Sequence, residues 1–257
     1  MKPQVIIRAT TSWLNPVVLI FFLIMFGLCM IARANPDPSA LITTWKTDNP
    51  GTSANNQITI PTLGGGGSYD YTIDWGDNTS DDITTDAAPT HTYASPGTYT
   101  VTITGTFPRL AFPPTAESDN QKLLTVEQWG DIVWNVFSFQ GCTNLVVNAT
   151  DAPDLSSADL LNTFEGCTSF NSDINHWNTS AVEYMQDVFK GATSFNQPLD
   201  NWDVSNVIDM SGMFFNARSF NQDLSIWNVS RVENMNSMFF DALEFNQPIG
   251  TWKVSAV

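Results

Sequence analysis

A block of 25 residues recurs through the second half of the chain, and it constrains the fold more than any other feature. Three full units follow one another: SFNSDINHWNTSAVEYMQDVFKGAT from Ser169, SFNQPLDNWDVSNVIDMSGMFFNAR from Ser194 and SFNQDLSIWNVSRVENMNSMFFDAL from Ser219. A fourth, EFNQPIGTWKVSAV, begins at Glu244 and stops partway at Val257. Phe170, Phe195, Phe220 and Phe245 share one register, as do Trp177, Trp202, Trp227 and Trp252, and Met185, Met210 and Met235. A repeat of this length denotes a stacked array, because one unit cannot bury its own apolar face and must lend it to a neighbour. These phenylalanines, tryptophans and methionines are therefore the expected structural core, with each Trp stacked on the Trp of the next unit.

Within a unit the apolar pattern is Leu199-x-x-Trp202-x-Val204-x-x-Val207-x-x-Met210-x-x-x-Phe214. The two-residue step from Trp202 to Val204 predicts a short strand, and the longer steps through Val207, Met210 and Phe214 predict a short helix or irregular turn. Asn171, Asn196, Asn221 and Asn246 recur beside each Phe; an amide at one place in every coil is suited to bond the backbone of the next. Upstream the pattern decays. Phe139-Gln140-Gly141-Cys142-Thr143 mirrors Phe164-Glu165-Gly166-Cys167-Thr168, but Ala152 stands where Trp would, as in a capping repeat. Leu123 to Trp134 (LLTVEQWGDIVW) reads as a first strand or lid closing that end. Cys142 and Cys167 fall one repeat apart in phase, so they are expected to be neighbours. An oxidising compartment permits a disulfide between them; Ala192, Ala217 and Ala242 in the same phase ask only for a small buried residue. Both readings stand, and a zinc site is not expected from two cysteines without a nearby His.

From about Leu41 to Leu110 the period is 2. Tyr69, Tyr71, Ile73 and Trp75 alternate with polar residues, and Tyr99, Val101 and Ile103 alternate with Thr100, Thr102 and Thr104. Such alternation marks half-buried strands, and the turn signals Gly76-Asp77-Asn78, Pro96-Gly97 and Gly64–Gly67 punctuate them into an antiparallel sandwich. The glycine run is followed by a strand and no Lys, so it is not a phosphate loop. The motifs Asp74-Trp75-Gly76-Asp77-Asn78-Thr79, His91-Thr92-Tyr93 and Pro96-Gly97-Thr98-Tyr99-Thr100-Val101 resemble the WGDG…HxY…PGxYxV pattern of PKD domains, immunoglobulin-like modules of bacterial surface proteins. Asn78 stands where that pattern has Gly, and Asn tolerates the left-handed backbone of the turn. Asp74 and Asp77 are expected to accept backbone N–H groups around this turn, with His91 in a satisfied, partly buried place. A second reading makes Asp74, Asp77, Asp81 and Asp82 a calcium site, although their spacing is not that of an EF-hand loop. Calcium apart, no cofactor is expected.

Residues 1–34 carry Lys2, Arg8 and Arg33 and no acid, an apolar run from Val17 to Ile31, and Ala32-Arg33-Ala34. This is the layout of a cleaved secretory signal peptide; the run is short for a membrane span, so none is expected after cleavage. Leu28 before Cys29 argues against lipidation. The remainder carries 26 acidic against 7 basic side chains, which excludes a nucleic-acid binder, since phosphate neutralisation needs a Lys/Arg stripe.

The repeats resemble the BspA-like leucine-rich repeat surface proteins of bacteria, the DUF285 type, with its FNQ-x-L-x-x-W-x-V-S-x-V-x-x-M-x-x-MF consensus; the match is close from Phe164 to Val257. The expected fold is mainly β: a signal peptide over 1–34, a PKD-like immunoglobulin sandwich over 35–116, and a leucine-rich-repeat-type solenoid of 25-residue units over 117–257. No G-x-S-x-G motif occurs, and the histidines after residue 34 are His91 and His176; no nucleophile–base–orienter set can be composed, so no enzyme and no catalytic residue is expected. Positions 173, 175, 176, 200, 201, 225, 226, 250 and 251 vary from unit to unit and are placed to line one face of the array. Such a face either recognises a large partner or simply meets solvent. The resemblance implies a secreted or cell-surface adhesin for an extracellular protein or glycan. The alternatives are a surface spacer, or an accessory module of a larger protein continuing beyond Val257.

Overall fold

The computed structural model describes residues 36–64, 68–113 and 118–257; the expected signal peptide lies outside the described residues. The structure is mainly β, with ten strands and, among the described residues, no α-helix. Strand β1 (Leu41–Lys46), β3 (Asp70–Asp74), β4 (Ser80–Ile83), β6 (Thr98–Thr106), β8 (Leu123–Gln128) and β10 (Val146–Val147) form one sheet in the order β10-β8-β1-β6-β3-β4. Two small ladders accompany it: β2 (Gln57–Thr59) pairs antiparallel with β5 (Thr90–Thr92), and β7 (Arg109–Ala111) pairs parallel with β9 (Val136–Ser138).

Register follows the alternation of side chains. Ile73 of β3 faces Ile103 of β6, which faces Leu41 of β1, and all three are buried. The intervening threonines point the other way, as a period of 2 requires. The edge strand β4 carries Asp81 and Asp82, charges that blunt further pairing at an open sheet edge.

Two elements differ from the expectation. The segment from Leu123, expected as a first strand or lid closing the repeat array, does more than that: as β8 it also joins the main sheet, antiparallel to β1 on one side and parallel to β10 on the other. A strand pattern fixes the conformation of LLTVEQ but not its partner, and the free edge of β1 supplies one. Second, no strand forms at Trp202–Val204 and no helix at Val207–Phe214. The inter-unit pairing sits instead in the Met/Phe half. Tyr184, Asp209 and Asn234 bridge in parallel, and a ladder continues from there.

In each seam alternate N–H groups donate to the unit that follows. Leu160, Asn162, Phe164 and Gly166 donate to the carbonyls of Tyr184, Gln186, Val188 and Lys190 at 2.7–3.0 Å. Met185, Asp187, Phe189 and Gly191 repeat the set onto Asp209, Ser211, Met213 and Phe215, and Met210, Gly212, Phe214 and Asn216 onto Asn234, Asn236, Met238 and Phe240. Most of the intervening N–H groups bond back three residues, as Thr163 does to Leu160 and Met213 to Met210. This run of tight turns needs a left-handed residue at two places per unit. They are Asn162 and Gly166, Asp187 and Gly191, Gly212 and Asn216, and Ser237 and Asp241, all with φ between 56° and 71°. Gly, Asn and Asp reach that region at least cost.

Side chains stack in the same register. Phe170, Phe195, Phe220 and Phe245 follow one another at 5.8–6.0 Å between ring centroids, with interplanar angles of 11° or less. Phe164, Phe189, Phe214 and Phe239 form a second column at 5.5–5.7 Å. Trp177 stacks on Trp202 and Trp227 on Trp252.

Candidate binding surface

The repeats present two kinds of position, fixed and varied. The fixed ones are inside. Trp177, Trp202, Trp227, Phe170, Phe195, Phe220, Met185 and Met210 are buried, while Met235, Phe245 and Trp252 in the last units are partly buried against the same core. The indole N–H groups of Trp202, Trp227 and Trp252 donate to the carbonyls of Ile174, Leu199 and Leu224 at 2.9–3.0 Å. The asparagines make the rail expected of them. The side-chain oxygens of Asn171, Asn196 and Asn221 accept from the backbone N–H of Asn196, Asn221 and Asn246 at 2.8–2.9 Å, and the Gln222 and Gln247 amides reinforce the last two.

The varied positions are outside. A groove of about 450 Å³ brings Asn175, Asp200 and Ile226 together with Pro198, Leu199, Gln222 and Asp223. Its floor is apolar at Leu199, its rim is acidic, no cation lines it, and Ile226 is 69% exposed. Asn175 donates to Asp200 at 2.7 Å and accepts from the Asn201 N–H at 2.9 Å, so part of the rim is preset by contacts between units. Asp173 and Asp223 cap their own turns through the N–H groups of Asn175 and Ser225, and the Ser225 bonds hold the Asp223 carboxyl below its ordinary pKa. His176 lies apart from the groove, its ring nitrogen 3.0 Å from the Asp151 carbonyl. Thr251 reaches the Ser225 carbonyl.

A second concavity, of about 580 Å³, is lined mainly by apolar side chains, among them Met235, Met238, Phe239, Ile249 and Trp252. These are the repeat equivalents of Met210, Met213, Phe214, Leu224 and Trp227, which are buried under the neighbouring unit.

In the first domain the aspartates are committed separately. Asp74 accepts from the Gly76 N–H at 2.8 Å, and Asp77 accepts from the Thr79 N–H and lies 2.9 Å from His91 Nε2. Asp81 takes the Trp75 indole N–H at 2.7 Å and Asp82 the Thr72 hydroxyl at 2.6 Å. The four carboxylates therefore do not converge, and no group of three metal-ligating side chains gathers among the described residues. His91 stacks on Trp75 at 4.8 Å and meets Tyr93 edge-on. Burial pushes the Asp77 carboxyl up, but the Thr79 and His91 bonds outweigh it and hold the pKa below its ordinary value. The turn uses left-handed Gly76 and Asn78, with φ of 80° and 70°. A Cβ at Gly76 would lie 2.3 Å from the Thr100 carbonyl oxygen.

Cys142 and Cys167 are free thiols, both fully buried. No disulfide joins them: the Cys167 thiol donates instead to the Phe139 carbonyl at 3.0 Å, and burial pushes both thiols up, away from the reactive thiolate.

One polar centre was not foreseen. Lys122 and Asp119, just past the expected domain boundary after residue 116, are 0% and 2% exposed. The Lys122 ammonium donates to the carbonyls of Ser53, Ala54 and Gln57 at 3.0 Å and to the Ser53 hydroxyl at 2.7 Å, with Asp119 at 3.6 Å. Asp119 in turn accepts from the N–H groups of Ser53 and Thr59. The pattern ESDNQK carries no apolar signal, so only the neighbouring loop reveals the need for a buried cation.

Among the described residues no helix is long and apolar enough to cross a membrane. Residues 35–106 match the family model for the PKD domain, a module typical of extracellular proteins, and residues 137–257 match the model described as Mycoplasma protein of unknown function, DUF285. No curated protein and no solved structure matches the chain. The matches thus fall, in order along the chain, on the two families that its motifs resemble.

Proposed function

We propose that the chain is an exported cell-surface protein whose repeats form a leucine-rich-repeat-type solenoid and act by non-catalytic binding. The observation that carries this reading is the sorting of residues within each unit: Phe, Trp and Met recur in the core and Asn along the rail between units, whereas Asn175, Asp200 and Ile226 change from unit to unit and meet in an open groove. Repeat arrays offer extended surfaces of this kind to large partners, and an acidic rim around an apolar floor suits an extracellular protein or glycan with cationic or hydrogen-bond-donor groups. PKD and DUF285 modules accord with a surface setting.

The test is saturable binding of residues 35–257 to glycan and matrix-protein panels, repeated with Asp200→Lys and Ile226→Lys in the groove. Binding that these substitutions abolish, with the fold intact, supports the reading. Absence of binding across the panels favours the spacer.

A further inference from the structure

We propose that the N-terminal β-domain is the cap on which the repeat stack is built, and that the two unfold as one body. The seam between them is the stretch from 107 to 136, which neither family match covers. Three independent sets of contacts cross it. The main sheet continues from β1 through β8 to β10, so its hydrogen bonds run without a break from the β-domain into the first coil. The β7–β9 ladder does the same on another side, extended by the Phe112 N–H donating to Ser138 and the Asn135 N–H to Pro108.

The second set is polar. Lys122 and Asp119 lie directly before β8, and they tie it to the loop at Ser53 and to strand β2 of the β-domain. A buried ammonium and carboxylate are tolerated only when fully paired, so this pair holds only while loop and strand are docked together.

The third set is aromatic. Phe107 meets Trp134 at 6.1 Å, Trp134 meets Trp129 at 6.2 Å, and Trp129 meets Trp177 of the first full repeat at 5.4 Å. Trp129 and Trp134 are both fully buried. They cover the upstream face of the stack, which in every later unit is covered by the preceding coil. A repeat array needs its terminal unit closed, and here the β-domain closes it.

The test is amide hydrogen exchange on the full chain, comparing Ile103 in β6 with Phe189 in the repeat ladder. Ile73→Val perturbs β3, which β6 and β1 separate from β8. If the body is single, protection at both amides falls by the same factor, roughly two- to tenfold for a lost buried methyl group. A fall at Ile103 with Phe189 unchanged overturns the proposal. Where Ile73→Val moves neither amide, Ile73→Ala enlarges the perturbation. Should that variant lose the β-domain altogether, retained protection at Phe189 overturns the proposal, and its loss supports it.

Discussion

Trp202→Ala measures how much one rung of the aromatic core contributes. Trp202 is 3% exposed, stacks on Trp177 at 6.5 Å, leans on Phe189 at 5.9 Å and donates its indole N–H to Ile174. Truncation uncovers on the order of 150 Å² of apolar surface, worth ~4 kcal/mol at ~25 cal/mol/Å². That lies within the range of about 3–5 kcal/mol for deleting a buried aromatic ring. The Ile174 carbonyl also loses one of its two donors, the other being the Trp177 N–H, for about 1 kcal/mol more. The expected loss is therefore ~4–5 kcal/mol. With an m-value of about 3 kcal/mol/M, the urea midpoint falls by roughly 1.5 M while m is unchanged. Trp202→Phe keeps a ring in the column and forfeits mainly the hydrogen bond, so it costs only ~1–2 kcal/mol. Urea unfolding followed by circular dichroism reads both. A loss under ~1 kcal/mol for Trp202→Ala would refute the core assignment and turn Trp202 into a candidate contact residue for a partner.

Three further outcomes follow from other sites. Lys122→Met leaves Asp119 without its cation, the Ser53 carbonyl without a donor and the Ala54 and Gln57 carbonyls with one donor fewer, so it costs about 3–5 kcal/mol; a neutral result in urea unfolding would mean that the ammonium is dispensable. Asn196→Ala removes the acceptor for Asn221 N–H and for Gln222, at ~1–3 kcal/mol, and Asn196→Leu does no better because the rail needs an oxygen, not volume. Because the Asp77 pKa is lowered on folding, its contribution to stability is full above the ordinary carboxyl value of 3.8 and is lost as pH falls through the folded value. Acid unfolding of Asp77→Asn should accordingly show a shallower pH dependence than the parent below that point, and identical slopes would remove Asp77 from the account.

The periodic parts of the molecule were legible because burial writes them into the sequence. Alternation gave Tyr71, Ile73, Val101 and Ile103 as inward residues of β3 and β6, and the recurring Phe, Trp and Asn marked the stacked columns and the amide rail. What failed was conformational or non-local. The apolar spacing of Val207, Met210 and Phe214 resembles a helical face, yet these residues follow one another through tight turns. The signal for that was the left-handed pair four residues apart, Gly212 with Asn216 and Asp187 with Gly191, which apolar periodicity does not register. The choice of β1 as the partner of β8, and the burial of Lys122, depend on segments some 65 to 85 residues away; local pattern carries no information about them. The groove shares this limit: sequence variation identified Asn175, Asp200 and Ile226 as surface positions, but only stacking brings in Leu199 as its floor.

The ladder between units has a direction, and direction limits symmetry. In the Met/Phe ladder four rungs per seam donate towards the C-terminal neighbour, against the bonds at its start by which Ile208 and Glu233 donate back, and the equivalent N–H groups of Met235, Ser237, Phe239 and Asp241 make no backbone hydrogen bond among the described residues. Two copies related by a two-fold axis through that face would set donor against donor. An isologous dimer there would have to forgo the ladder altogether. The surface complementary to this row is a row of carbonyls, so any pairing that continues the ladder is head-to-tail, and head-to-tail contacts close into rings or propagate as filaments rather than stopping at two. The bond that fixes the order of units within the chain thus sets one rule for whatever continues the ladder, a further unit of the same chain or another chain.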